Sequence, residues 1–335
     1  MPSTSATSCQ RPGGFSRCPF VGSLLFDLQK ELKQKNEIFG NFIHDFAVVN
    51  KSYAKDMEWS VALYKSWRKH AAREAPFFMV VPKEDIVNFE RRFELEVEQG
   101  AVTERPFLLT EEDVLHVSGI ACPPEFTGWH VQQIIKLCFS KTKLARHYLT
   151  LDSAMIFTKP FDYRTLYSDD GVFCTAASPL RKEDFYRCYQ HVDEKGWLNG
   201  ELVNLSKSLE AICAFMGNDS EFTHQYIGGS GFFDSELAIG LEKYANEKGF
   251  CGFVGLISMA PYEFAWYGEY VFMLHRDKFR PKGPLIMEPC ITLPNLKDLY
   301  DGNFNIPDHL FGVLIQPPAS DQCELSKINW GKANK

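Results

Sequence analysis

The residues best able to do chemistry stand at the end of one apolar run. His147-Tyr148-Leu149-Thr150-Leu151 reads as a strand, Asp152 closes it, Ala154-Met155-Ile156-Phe157 is a second apolar stretch, and Pro160 stops that one. A lone charge is expensive in apolar surroundings, so a carboxylate at the end of a buried strand must be solvated, paired or bound to a cation. In an open α/β sheet the crevice lies beyond the carboxyl ends of the strands, which makes Asp152 the first candidate for ligand chemistry. A carboxylate that only caps a turn fits the same spacing. Upstream, Gly128 to Cys138 reads as an amphipathic helix, with Val131, Ile134, Ile135 and Cys138 at core spacing. Gln132, Gln133 and Lys136 stand three and four apart and share another face, either an ordinary solvated one or one that reaches the strand end. The helix leads directly into the Asp152 strand, so Lys136 is the preferred cation for contact with a phosphate.

Two later stretches carry further candidates. Pro261 to Tyr270 interleaves Glu263 and Glu269 with aromatic rings. That suits a sugar, whose apolar ring faces stack while its hydroxyls seek carboxylates. The other reading is a partly buried helix with Glu263 outward. The cluster Gly228-Gly229-Ser230-Gly231 has Phe232 where a Gly-x-Ser-x-Gly elbow needs glycine, which disfavours a serine hydrolase. It also lacks Walker A and dinucleotide-fingerprint spacing. A tight bend before a helix at 235–248 is favoured over close approach to a substrate.

The elements that must position these residues alternate. Asp45–Asn50, Pro76–Val81 and Phe107–Leu109 read as strands, with helical patterns after the first (Trp59, Leu63, Trp67) and after Pro82 through Phe93. Gly171–Ala177 and His309–Gln316 read as further strands, and 181–197 and 200–216 as helices. Strand and helix in alternation predict right-handed βαβ units and a largely parallel sheet. The divisions expected are a tail and peripheral helix over 1–40, one domain over 41–320 and a C-terminal tail over 321–335.

Composition narrows the classes. With 36 basic and 43 acidic residues and no dense Lys/Arg run, nucleic acid is not an expected partner. No stretch is long and apolar enough for a transmembrane segment or signal peptide. The ten cysteines form no Cys-x-x-Cys pair or zinc spacing, which fits a reduced, cytoplasmic setting. Residues 1–26 hold no acid and are rich in Ser, Thr, Gly and Pro, as in a disordered tail or, less often, a transit peptide.

Several of these residues fall in one order. Asn50 after the first strand, Trp129 with Gln132-Gln133 and Lys136-Leu137, Leu149 to Ser153 with Pro160-Phe161, and Glu263 with Tyr267-Gly268 together resemble a group of little-characterised, mostly bacterial GT-A-type glycosyltransferase-like proteins. The resemblance spans roughly residues 44–316. It implies an α/β fold, a GT-A-like Rossmann-type mixed, mostly parallel sheet flanked by helices. It implies a nucleotide-sugar donor held by Asn50, Ser52, Tyr53, Gln133, Lys136 and Asp152, and a glycan or other hydroxyl acceptor. Glu263 is the implied base or sugar-binding acid, with Asp234 in reserve. The family's Asp-x-Asp motif clamps Mn or Mg, yet Ala154 stands where the second acid belongs, so the metal role of Asp152 is open. Asp152 with His224 or His309 could hold a metal, Lys136 could replace it, or activity could be lost. An inactive scaffold and a nucleotide-sugar hydrolase are the competing functions.

Overall fold

The computed structural model describes residues 25, 28–30, 41–71, 75–181, 203–226, 229–291, 306 and 308–315. The first apolar runs become strands joined by helices: β1 (His44–Lys51), α1 (Met57–His70), β2 (Phe77–Val81), α2 (Ile86–Glu98) and β3 (Phe107–Thr110). Two helices follow, α3 (Glu111–Ser118) and α4 (Gly128–Cys138), and then β4 (Ala145–Leu151) and β5 (Met155–Phe157). The second half holds β6 (Thr175–Ala176), β7 (Ser178–Arg181), α5 (Val203–Met216), β8 (Phe222–Gln225), β9 (Ser230–Asp234), α6 (Ser235–Glu247), α7 (Gly252–Met259) and α8 (Glu263–Leu274). Short strands β10 (Pro281–Lys282), β11 (Ile286–Ile291) and β12 (Gly312–Ile315) complete the described elements.

The central sheet has the order β3-β2-β1-β4-β9. Its first four strands are parallel, and β9 runs antiparallel to β4. This is the mixed α/β sheet, mostly parallel and flanked by helices, that the alternation predicts. Both faces are covered, which is why β1 and β2 read as continuous apolar runs. Ala47 and Val49 pack on one face with Phe78, Val80, Ile134 and Ile135. Phe46 and Val48 pack on the other with Met79, Trp67, Phe89 and Phe93.

The same two faces reveal the winding. Helices α1 and α2 cover one face as the chain steps outward from β1 to β3, whereas α3 and α4 cover the other before β4 returns beside β1. The winding therefore reverses between β1 and β4, and crevices for ligands open beyond the carboxyl ends of strands at such a reversal.

Several elements differ from their sequence reading. In the glycine cluster, Gly228 lies outside the described residues, Gly229 is a bend, and Ser230 and Gly231 begin the antiparallel edge strand Ser230–Asp234. Phe264 occupies the space where a Cβ on Gly231 would stand, so the glycine serves close packing. The strand expected over Gly171–Ala177 shrinks to Thr175–Ala176. Helices α3 and α7 were not foreseen. The helix expected over 181–197 and most of the two tails lie outside the described residues.

Candidate functional site

The ends of β1 and β4 lie side by side, with Asn50 opposite Leu151. Asn50 is fully buried, and its Nδ2 donates to the Leu151 carbonyl at 2.8 Å and to Ser153 Oγ at 3.3 Å, while Oδ1 has no partner. The hydroxyls of Ser52, Ser60 and Ser153 meet within 2.6–3.2 Å and clasp the end of β1, α1 and the turn after β4. That turn is fixed again where the Asp152 amide donates to the Gly229 carbonyl at 3.0 Å. Lys51 pairs with Glu111 at 2.6 Å and lies 5.4 Å from the ring centre of Tyr53, which is 40% exposed at the rim.

The charged centre stands beside this clasp. Lys136 Nζ lies 2.8 Å from Glu263 Oε1 and 3.0 Å from Asp152 Oδ1. The side chains of Lys136 and Glu263 are each 4% exposed, that of Asp152 34%. Gln132 Nε2 donates to the same Asp152 Oδ1 at 3.3 Å. With the Gln133 amide oriented so that its nitrogen faces the acceptor, it donates to Glu263 and its carbonyl accepts from Trp129 Nε1 at 2.7 Å. Trp129, Gln132, Gln133 and Lys136 are thus one stripe of α4, spaced three, four and seven apart. Among the described residues, Asp152 Oδ2 has no bonded partner and is the open end of the centre.

Electrostatics follow from this arrangement. Burial works against the Lys136 ammonium, but the carboxylates of Asp152 and Glu263 outweigh it and hold its pKa above the ordinary lysine value. Burial raises the Glu263 carboxyl above its usual range even against Lys136. With one cation and two carboxylates, the three groups carry a net negative charge. Asp56 is also raised, first by burial and in part by the nearby charge of Asp152.

Asn50, Ser52, Gln133, Lys136, Asp152 and Glu263 are therefore brought together, with Tyr53 at the rim. Asp234 is not among them. Register places Leu151 against Ser230 and His147 against Asp234, so Asp234 stands about 13 Å along the strands from the Asp152 end. There it caps α6, accepting from the Glu236 amide at 2.8 Å and the Leu237 amide at 3.2 Å, with His147 Nε2 3.6 Å away. His224 is buried among Tyr226, Phe272 and Phe279, His309 is exposed beside β12, and neither bonds Asp152.

Of the stacking surface expected in residues 261–270, only Tyr262 at its head is left half-buried. Phe264, Trp266, Tyr267 and Tyr270 are all core residues of α8, and Glu263 points inward. A helix that is apolar on every side is a buried one. Ser60 joins the clasp with no signal in the sequence, since nothing marks a serine inside an apolar helix as part of a site.

The residues do not fit a divalent cation of the Asp-x-Asp kind. Ala154 offers no ligand, Oδ1 of Asp152 is engaged by Lys136 and Gln132, and among the described residues no three His, Cys, Asp or Glu side chains converge. A hard cation wants six or more oxygens, and one open oxygen is a poor start.

The model described as "Family of unknown function (DUF6492)" matches residues 43–193, which take in Asn50, Lys136 and Asp152 but not Glu263. No curated protein sequence matches the chain. Among solved structures, the chain is similar to apo mouse xyloside xylosyltransferase 1, with 10% identity, a TM-score of 0.42 and coverage of 81% of this chain and 97% of that one. It is also similar to the apo WbbM bifunctional glycosyltransferase, with 14% identity, a TM-score of 0.40 and coverage of 72% of this chain and 39% of that one.

Proposed function

We propose that this chain is a glycosyltransferase that moves a sugar from a nucleoside diphosphate donor to an acceptor hydroxyl, with residues 41–320 as its catalytic domain. The observation that supports this most is the position of Asp152. It is a partly exposed carboxylate at the carboxyl end of β4, at the reversal of winding, braced from behind by a buried ammonium.

In this reading the donor lies across the ends of β1 and β4. Tyr53 lines its nucleotide end at the rim, Asn50 and Ser52 hold the end of β1 beneath it, and Lys55, exposed just beyond β1, is the cation contributed toward the diphosphate. Lys136 is too deeply enclosed to touch the leaving group; it braces Asp152 through its contact with Oδ1. Glu263, gripped by Gln133, holds that ammonium in place and acts through it. Asp152 Oδ2 is then the group that accepts the proton of an attacking hydroxyl, a general base that ordinarily contributes about 10²–10⁴ in rate. Asp234 has no part in the reacting centre, and no step passes through a metal.

Release of nucleotide from UDP-, GDP- and CDP-sugars, with water as the fallback acceptor, tests the assignment. The variant Asp152→Asn should lower turnover by about 10²-fold or more with its melting temperature nearly unchanged. Equal turnover in the variant would contradict it. Ala154 favours one rival, a binding scaffold that has lost catalysis; that rival predicts donor binding and no turnover in the unaltered protein.

A further inference from the structure

Four half-buried rings gather at the start of α4: Phe126, Trp129, His130 and Tyr262. Phe126 and His130 stack at 5.0 Å, while Trp129 meets His130 at 5.8 Å and Tyr262 at 5.6 Å, both edge to face. Among the described residues, then, no ring stacks flat on the indole. The indole is held by its N–H bond to the Gln133 carbonyl, and one turn further along the same stripe Gln132 reaches Asp152. One turn is about 5.4 Å of helix axis, so the ring stands about one turn from the glutamine that touches Asp152.

We propose that Trp129 and Tyr262 form the acceptor subsite, a platform for the apolar face of an uncharged sugar ring whose hydroxyl is presented to Asp152 Oδ2. The word acceptor rests on the glycosyl-transfer reading; the ring chemistry does not. A sugar offers C–H bonds on a face and hydroxyls on its rim, and an indole beside an amide and a carboxylate meets both. The ring carries no acid group, because an anion would be repelled by the Asp152 carboxylate and by Asp56 nearby. A nucleobase shares the flat apolar face, so the test separates the two.

Saturation-transfer NMR on the full chain with the methyl glycosides of glucose, galactose, mannose, xylose and N-acetylglucosamine reads the platform directly. Thermal shifts with UDP, GDP and CDP run in parallel. At least one glycoside should saturate through its ring hydrogens. Trp129→Phe, which keeps the ring and loses the N–H bond, should bind it within about twofold of the unaltered protein, and Trp129→Ala should bind it about tenfold more weakly. Nucleotide shifts should be the same in all three. The platform is overturned if no glycoside responds, if Trp129→Ala binds as well as the unaltered protein, if Trp129→Phe loses as much as Trp129→Ala, or if the nucleotide shift is what the alanine variant loses. A glycoside response that needs Trp129, with no nucleotide shift anywhere, would sustain the platform and overturn the transferase reading. Nucleotide shifts without a Trp129-dependent glycoside response would do the reverse.

Discussion

Lys136 has two carboxylate partners of unequal exposure, and that inequality decides what its removal does. Asp152 is open enough for water to solvate it, but Glu263 is sealed in the core. Lys136→Met should therefore cost about 3–5 kcal/mol, the usual consequence of stranding one member of a buried pair, and urea unfolding measures it. Adding Glu263→Gln should recover part of that loss, because the stranded charge is then gone. At the far end of the sheet Asp234 works differently. Burial pushes its carboxyl up, but His147 and the amides of Leu237 and Glu236 together win and hold it below the ordinary value of 3.8. A lowered folded pKa means that its ionised form stabilises the native state above about pH 4, and that this is lost as pH falls through the folded value. Thermal melts should show Asp234→Asn losing less stability than the unaltered protein between pH 7 and pH 3.

The elements are as telling as the residues. Helix α8 carries Gly268 where a Cβ would collide with the Tyr226 ring. Alanine normally favours a helix by about 1 kcal/mol over glycine. Overpacking a full core costs about 1–3 kcal/mol, so the collision should win. Gly268→Ala is expected to lower stability in chemical denaturation by about 1–2 kcal/mol, and a gain would show that Tyr226 yields freely. The sequence made β1, β2 and β4 legible because parallel strands buried on both faces carry dense apolar stretches. It concealed β9, since Gly231 answers to Phe264, a neighbour only in space. Helix α3 was missed although its start is marked: Thr110 Oγ1 accepts from the Asp113 amide at 3.1 Å. Along α4 the polar stripe was visible, and so was its approach to Asp152. That Glu263 closes the pair from α8 was not, because no local pattern encodes a partner so distant in the chain.

At the scale of the molecule, the candidate site depends on both halves of the chain. Residues 43–193 supply Asn50, Lys136 and Asp152, and α8 brings Glu263 from beyond them. No described helix is long and apolar enough to cross a membrane. On the glycosyl-transfer reading, Lys55 just beyond β1 is the candidate cation for a bound diphosphate. The most direct measurement is a thermal-shift titration of the full chain with UDP, GDP, CDP and their sugar conjugates, each in EDTA and in Mn. A ligand at about a hundredfold its dissociation constant should stabilise the native state by about 2.7 kcal/mol. A shift with one nucleotide family that persists in EDTA is the expected result. No shift with any nucleotide, under either condition, would contradict a donor site at the ends of β1 and β4.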